Sequence, residues 1–267
     1  MHFAHANGYP PECYAPLLDA LAPHFALTAL VQRPLWQTTR PQDLHDWLPL
    51  TADLLTFLDE QNLSGIIGVG HSMGGIATLR AAIQQPNRFR ALILLDPVLF
   101  SPNFIRLWNV IRALGLGYRL HPLVPAAQKR RRTFDNLDKL FEGYRRKPVF
   151  RYFDDDALRA YVNGIAAPNG NGGYQLRYTP EWEARIYVTG VWRDLPLWNA
   201  LPNLNIPTLI LRGAETDTFL EATARRVQRV NPRIRILTLP NTTHLLPLEQ
   251  PQTVAQHIRE FVQEISL

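Results

Sequence analysis

The reading of this chain turns on Ile66-Ile67-Gly68-Val69-Gly70-His71-Ser72-Met73-Gly74-Gly75. The apolar run Ile66–Val69 lacks polar alternation, as expected for a central strand covered on both faces. A helical pattern, Met73–Gln85, begins directly after it, so Ser72 falls on a tight strand-to-helix turn. Such a turn forces the serine toward an unfavourable backbone conformation, and side chains two positions to either side would collide. Glycine at 70 and 74 relieves the collision. The first N–H groups of the helix then face any negative charge that forms beside the Ser72 hydroxyl. An ordinary glycine-rich turn is the plainer alternative. A dinucleotide fingerprint is another, because Gly68, Gly70 and Gly74 form G-x-G-x-x-x-G. Against it, Met73 holds the third-glycine position and this is not the first strand of the chain.

Working outward, His2–His5, Phe25–Val31, Gly65–Val69 and Ala91–Leu95 read as strands, and Glu12–Leu21, Leu50–Gln61 and Met73–Gln85 as amphipathic helices. This alternation predicts βαβ units and a mostly parallel sheet, an α/β fold. It resumes after Pro207 with strands Thr208–Leu211 and Arg235–Leu239 and helices Glu221–Val230 and Thr253–Ile265. Between them the pattern breaks down. Residues 101–201 carry four of the six tryptophans (Trp108, Trp182, Trp192, Trp198) and the turn-rich run Pro168-Asn169-Gly170-Asn171-Gly172-Gly173. That stretch reads as short helices and loops inserted between two sheet strands.

The chain has 267 residues, 46% of them apolar and 19% charged, which suits one large α/β domain or two small ones and excludes a disordered tail protein. It contains no apolar run long enough for a membrane span, so no stable membrane insertion is expected. The start, Met1 to Pro11, has neither a basic nor an apolar leader region. The single Cys13 allows no internal disulfide and no cysteine zinc site, so a cytoplasmic location is expected. The net charge is +5. Ser101–Ala200 holds 16 basic against 9 acidic residues, or +7, leaving 12 against 14, or −2, for the rest. A solvated helix face is the ordinary reading of such basicity; nucleic acid, an anionic membrane and an anionic substrate are the others. No nucleic-acid partner is expected, and the oligomeric state stays open.

A serine hydroxyl needs a base. His244 lies in Asn241-Thr242-Thr243-His244-Leu245, between the last strand and the last helix, where parallel sheets place ligand sites. The imidazole in turn needs a carboxylate to hold its tautomer. Asp217, in Gly213-Ala214-Glu215-Thr216-Asp217 after the strand Thr208–Leu211, is the expected acid, with Asp96 and Glu215 as rivals. An oxyanion would be held by the Met73 N–H and by a second N–H from His5-Ala6-Asn7-Gly8-Tyr9-Pro10, that of Asn7 or Tyr9.

These blocks, with Leu94-Leu95-Asp96-Pro97 and His244-Leu245-Leu246-Pro247-Leu248-Glu249-Gln250-Pro251, make the chain resemble the α/β-hydrolase superfamily over nearly its whole length. The resemblance implies a serine hydrolase of the esterase and lipase type, with Ser72 as nucleophile, Asp217 as acid and His244 as base. It implies a core of residues 1–97 and 202–267 with 98–201 as an inserted helical cap, a small-molecule ester or lactone as substrate, and no metal or organic cofactor. A serine at 72 rather than an aspartate argues against the haloalkane dehalogenase and epoxide hydrolase branches. Two features depart from the pattern. His5 and Gly8 are not adjacent, and the chain opens at what would be the third strand. Either the sheet is one hairpin short, with Phe25–Val31 at its edge, or the true start lies upstream.

Overall fold

Six parallel strands, in the order β2 (Thr28–Ala29), β1 (His2–Ala4), β3 (Ile66–His71), β4 (Phe89–Leu95), β8 (Thr208–Gly213) and β9 (Arg235–Leu239), form the centre of a computed structural model that describes residues 1–265. The last two positions of the expected 202–267 segment therefore lie outside the described residues. In chain order come β1 (His2–Ala4), α1 (Ala15–Leu21), β2 (Thr28–Ala29), α2 (Leu48–Glu60), β3 (Ile66–His71), α3 (Met73–Gln84) and β4 (Phe89–Leu95). An insertion follows, with α4 (Pro102–Ala113), α5 (Gly117–Leu120), α6 (Val124–Gln128), β5 (Thr133–Phe134), α7 (Leu137–Arg145), α8 (Asp155–Ile165), β6 (Ala166–Pro168), β7 (Tyr174–Leu176), α9 (Pro180–Thr189) and α10 (Leu195–Ala200). The sheet resumes with β8 (Thr208–Gly213), α11 (Glu221–Val230) and β9 (Arg235–Leu239), and the chain closes through α12 (Leu246–Glu249) and α13 (Pro251–Glu264).

Every residue of β3 and β8 is buried. Alternate side chains go to opposite faces: Ile67, Val69, Ile93, Leu95, Leu209 and Leu211 join a core with α1 and α13. Ile66, Leu92, Leu94 and Ile210 join the other core, with α2, α3 and α11. This two-sided burial is why these strands read as unbroken apolar runs; each buried Leu or Ile contributes about 1.5–3 kcal/mol.

The strand order reverses between β1 and β3. The crevice at that reversal, at the carboxyl ends of the strands, holds the loop after β1 and the turn after β3. Two expectations change. The edge strand shrinks from Phe25–Val31 to Thr28–Ala29, with β1 as its only strand partner among the described residues. The insertion is not wholly helical: β5, β7 and β6 form an antiparallel sheet. The turn-rich Pro168–Gly173 run closes its hairpin, with Asn169 Oδ1 accepting from the Asn171 and Gly173 N–H groups.

Candidate active site

Ser72 sits at φ 57°, ψ −119°, a conformation that side chains rarely adopt. The surroundings leave it no alternative. A Cβ on Gly70 would lie 2.5 Å from the Gly74 carbonyl oxygen, and one on Gly74 would lie 2.2 Å from that of Ala4. The Ser72 N–H donates to Leu95 O at 3.0 Å, which ties the turn to the neighbouring strand. The register pairs His71 with Leu95, so the residues that follow each strand, Ser72 and Asp96, emerge side by side.

His244 arrives from two strands away. Its loop crosses the end of β8, where Gly213 has no side chain to obstruct it; a Cβ there would be 2.2 Å from Thr243 O. Glu249 fixes the loop: its carboxylate accepts from the Thr243 N–H (2.6 Å) and the Thr243 hydroxyl (2.7 Å). Burial raises the pKa of Glu249, and these two bonds work in the opposite direction.

His244 Nε2 lies 2.8 Å from Ser72 Oγ, and His244 Nδ1 lies 2.7 Å from Asp96 Oδ2. A carboxylate only accepts, so Nδ1 carries the proton and Nε2 is left to accept from the serine hydroxyl. Asp96 is fully buried. It also accepts from the Gly213 N–H (3.1 Å) and the Thr216 hydroxyl (2.5 Å), which offsets its desolvation.

The carboxylate on His244 is thus that of Asp96, and Asp217 is not brought to the site. Strand β8 runs two residues past the expected Leu211, and of residues 214–217 that follow it the buried one is Thr216. Asp217 is exposed and accepts from the Thr218 hydroxyl at 3.1 Å. Glu215, the other rival, is also exposed and accepts from Arg151 (2.6 Å) and Tyr152 (2.6 Å) of the insertion. The chain order serine, aspartate, histidine fits Asp96 as well as Asp217, so order alone did not separate them.

Met73 opens α3, so its N–H has no acceptor within the helix. In the facing loop the Tyr9 N–H donates to Ala6 O at 3.3 Å, closing a turn, whereas the Asn7 N–H makes no such bond among the described residues. Of the two expected donors, Tyr9 is engaged elsewhere and Asn7 is the one whose N–H has no backbone acceptor among the described residues. The insertion braces this loop. Asn7 Nδ2 donates to Glu183 O of α9 at 3.1 Å, and the Glu183 carboxylate accepts from Arg130 at 2.5 Å. Gly8, at φ 78°, leaves just enough room for the Glu183 side chain.

A relay that the sequence reading did not anticipate joins the two halves of the site. The Ala6 N–H donates to Tyr14 Oη (3.2 Å), and Tyr14 Oη is 2.7 Å from His71 Nδ1. His71 Nε2 is 2.8 Å from His244 O. A carbonyl only accepts, so His71 donates from Nε2 and receives the Tyr14 hydroxyl proton at Nδ1. Burial, with His244 beside it, drives the pKa of His71 well below the usual imidazole range and keeps it in this neutral form. His71 does turn away from Ser72, but it supports the backbone of His244. Its place next to Ser72, at the end of a fully apolar strand, was the one available signal: a histidine there is buried and needs partners.

Beyond the loop, a cavity of about 610 Å³ opens within the insertion. Tyr9, Tyr161 and Tyr187 line it, with Lys129, Arg131, Lys139 and Lys147; Ser72 and His244 do not.

A model of the alpha/beta hydrolase family matches residues 3–257. The chain is 25% identical over 213 residues to lipase LipV of Mycobacterium tuberculosis, covering 77% of this chain and 72% of that protein. It is 23% identical over 218 residues to ethanol acetyltransferase 1 of Hanseniaspora uvarum, covering 77% of this chain but only 62% of that protein's length. Among solved structures, E-2-(acetamidomethylene)succinate hydrolase superposes with a TM-score of 0.75 at 19% identity, over 98% of this chain and 91% of that one.

Proposed function

The chain belongs to the alpha/beta hydrolase family, and on that premise we propose that it is a serine hydrolase cleaving a carboxylic ester or lactone through an acyl-enzyme on Ser72. One observation carries the proposal: the unbroken file Ser72 Oγ, His244, Asp96, with contacts of 2.8 and 2.7 Å. His244 Nε2 takes the hydroxyl proton as Ser72 Oγ attacks the carbonyl carbon. The carbonyl oxygen, now negative, accepts from the Met73 and Asn7 N–H groups. Asp96 stabilises the imidazolium, which returns its proton to the departing alkoxide. Water then enters, gives a proton to His244 and attacks the acyl carbon; the proton passes back to Ser72 Oγ as the acid leaves. In this reading residues 98–201 act as a cap whose α9 steadies the oxyanion loop through Asn7.

The test is covalent labelling with a fluorophosphonate, followed by mass spectrometry, beside turnover of p-nitrophenyl esters and lactones. The expected adduct is on Ser72, and Ser72→Ala loses both labelling and turnover, by about a million-fold in kcat. An unlabelled wild-type protein without turnover would leave a ligand-binding fold in place of an enzyme. The likeness to an ethanol acetyltransferase favours a second reading, transfer of the acyl group to an alcohol. Ethyl ester formed from an activated acyl donor in added ethanol, exceeding the free acid, would select it.

A further inference from the structure

Helix α4 is apolar on two sides. Pro102, Ile105 and Trp108 face inward and are buried. Phe104, Leu107, Val110 and Leu114 are 41–67% exposed and follow one another at helical spacing on the other side. The chain then turns through α5 and presents Tyr118, Leu120 and Leu123, each at least 42% exposed. Seven of the eleven exposed large hydrophobic side chains among the described residues thus fall between 104 and 123. A concentration of this kind marks a surface that something covers.

The charge around it indicates what. Residues 97–134 contain seven Lys and Arg and no Asp or Glu. Arg106, Arg119 and Lys129 are exposed and have no carboxylate partner among the described residues. A second copy of the chain docking this face on itself would set those cations against their own kind. Nucleic acid would suit the cations but leave five aliphatic side chains without a stacking role. We propose that the α4–α5 face seats on an anionic lipid bilayer, its leucines and phenylalanine entering the acyl boundary and its arginines, Arg106 and Arg119, meeting headgroup phosphates. The inference does not depend on the chemistry proposed for Ser72.

Co-sedimentation with vesicles tests it, using phosphatidylcholine alone and phosphatidylcholine mixed with phosphatidylglycerol, at low and high salt. The full chain is expected to pellet with the mixed vesicles, to release in high salt and to bind phosphatidylcholine weakly. Leu107→Glu/Leu114→Glu and Arg106→Glu/Arg119→Glu each weaken the binding by about tenfold or more. Both pairs are exposed, so the melting temperature shifts by no more than a few degrees and turnover of a water-soluble ester stays within about twofold of wild type. A wild-type chain that stays in the supernatant, or variants that bind as well as it does, would overturn the proposal. So would a dimer that the leucine pair dissolves in the absence of any vesicle binding, or salt-sensitive binding to an oligonucleotide without binding to vesicles.

Discussion

Strand β3 with its turn and helix α4 with its neighbours are both rich in apolar residues, yet they answer to different constraints. Around β3 every side chain is buried, and a single added carbon at Gly70 or Gly74 would strike backbone. Along α4 half of the apolar side chains stand in water, and the glycine that follows, Gly115, has nothing within reach of an added carbon. The sheet holds its site by leaving no room for movement; the insertion keeps a surface open. Sensitivity to substitution should therefore fall steeply from one to the other.

The sharpest break of that contrast lies in the carboxylates. Asp96→Asn is expected to lower kcat by about 10³- to 10⁴-fold, since the amide cannot hold the His244 tautomer, while Asp217→Asn stays within about twofold. Steady-state kinetics on one p-nitrophenyl ester reads both; equal losses would mean that the exposed loop reaches the site after all.

The glycines come next. Gly74→Ala should cost about 3 kcal/mol or more, because the Ala4 carbonyl belongs to a central strand and cannot retreat. Gly143→Ala, in α7 of the insertion with no atom near its Cβ, should gain about 0.5–1 kcal/mol. Urea unfolding of the two variants measures the gap directly.

Acid probes the buried imidazoles, those of His2 and His5 at the first strand and that of His121 in the insertion, which burial also lowers to about 4. Burial holds His5 down to about 4 and His2 down to about 3, against 6.5 for an open chain. The unfolded chain takes up these protons first, so stability is complete above pH 6.5 and is lost as pH falls toward 4. The expected slope is about 1.4 kcal/mol per pH unit for each imidazole. His5 Nε2 accepts from the Gln32 N–H, a bond that protonation would break. A His5→Gln variant whose stability fell with the same slope would remove this account.

The smallest effect concerns the relay. Tyr14→Phe deletes the hydroxyl between Ala6 and His71, and it should lower kcat about tenfold with KM nearly unchanged, because no bond to substrate is lost. A change in KM alone would make Tyr14 a packing residue.

Much of this architecture is local and could be read from residue types. The unbroken runs Ile66–Val69 and Leu92–Leu95 announce two-sided burial, and the glycines at 70 and 74 announce a turn too tight for a side chain. Ser72 and His244, both named from their loops, come within 2.8 Å of each other. The misreading of Asp217 had a physical origin. In Gly213–Asp217 successive side chains point in different directions, and whether residue 216 or 217 turns inward depends on how far β8 continues. That extension is set by pairing with β9, which no local pattern records.

The sequence by itself determined the alternation of strands and helices, the strained serine turn and the basic character of the insertion, because sterics and burial periodicity act between near neighbours. The tertiary structure alone decided that Asp96 meets His244 across 148 positions, that the Tyr14–His71 relay links the two loops, and that one face of α4 has no cover. Those outcomes depend on hydrogen-bond geometry and packing between elements distant in the chain, where a shift of one residue in register exchanges a buried carboxylate for an exposed one.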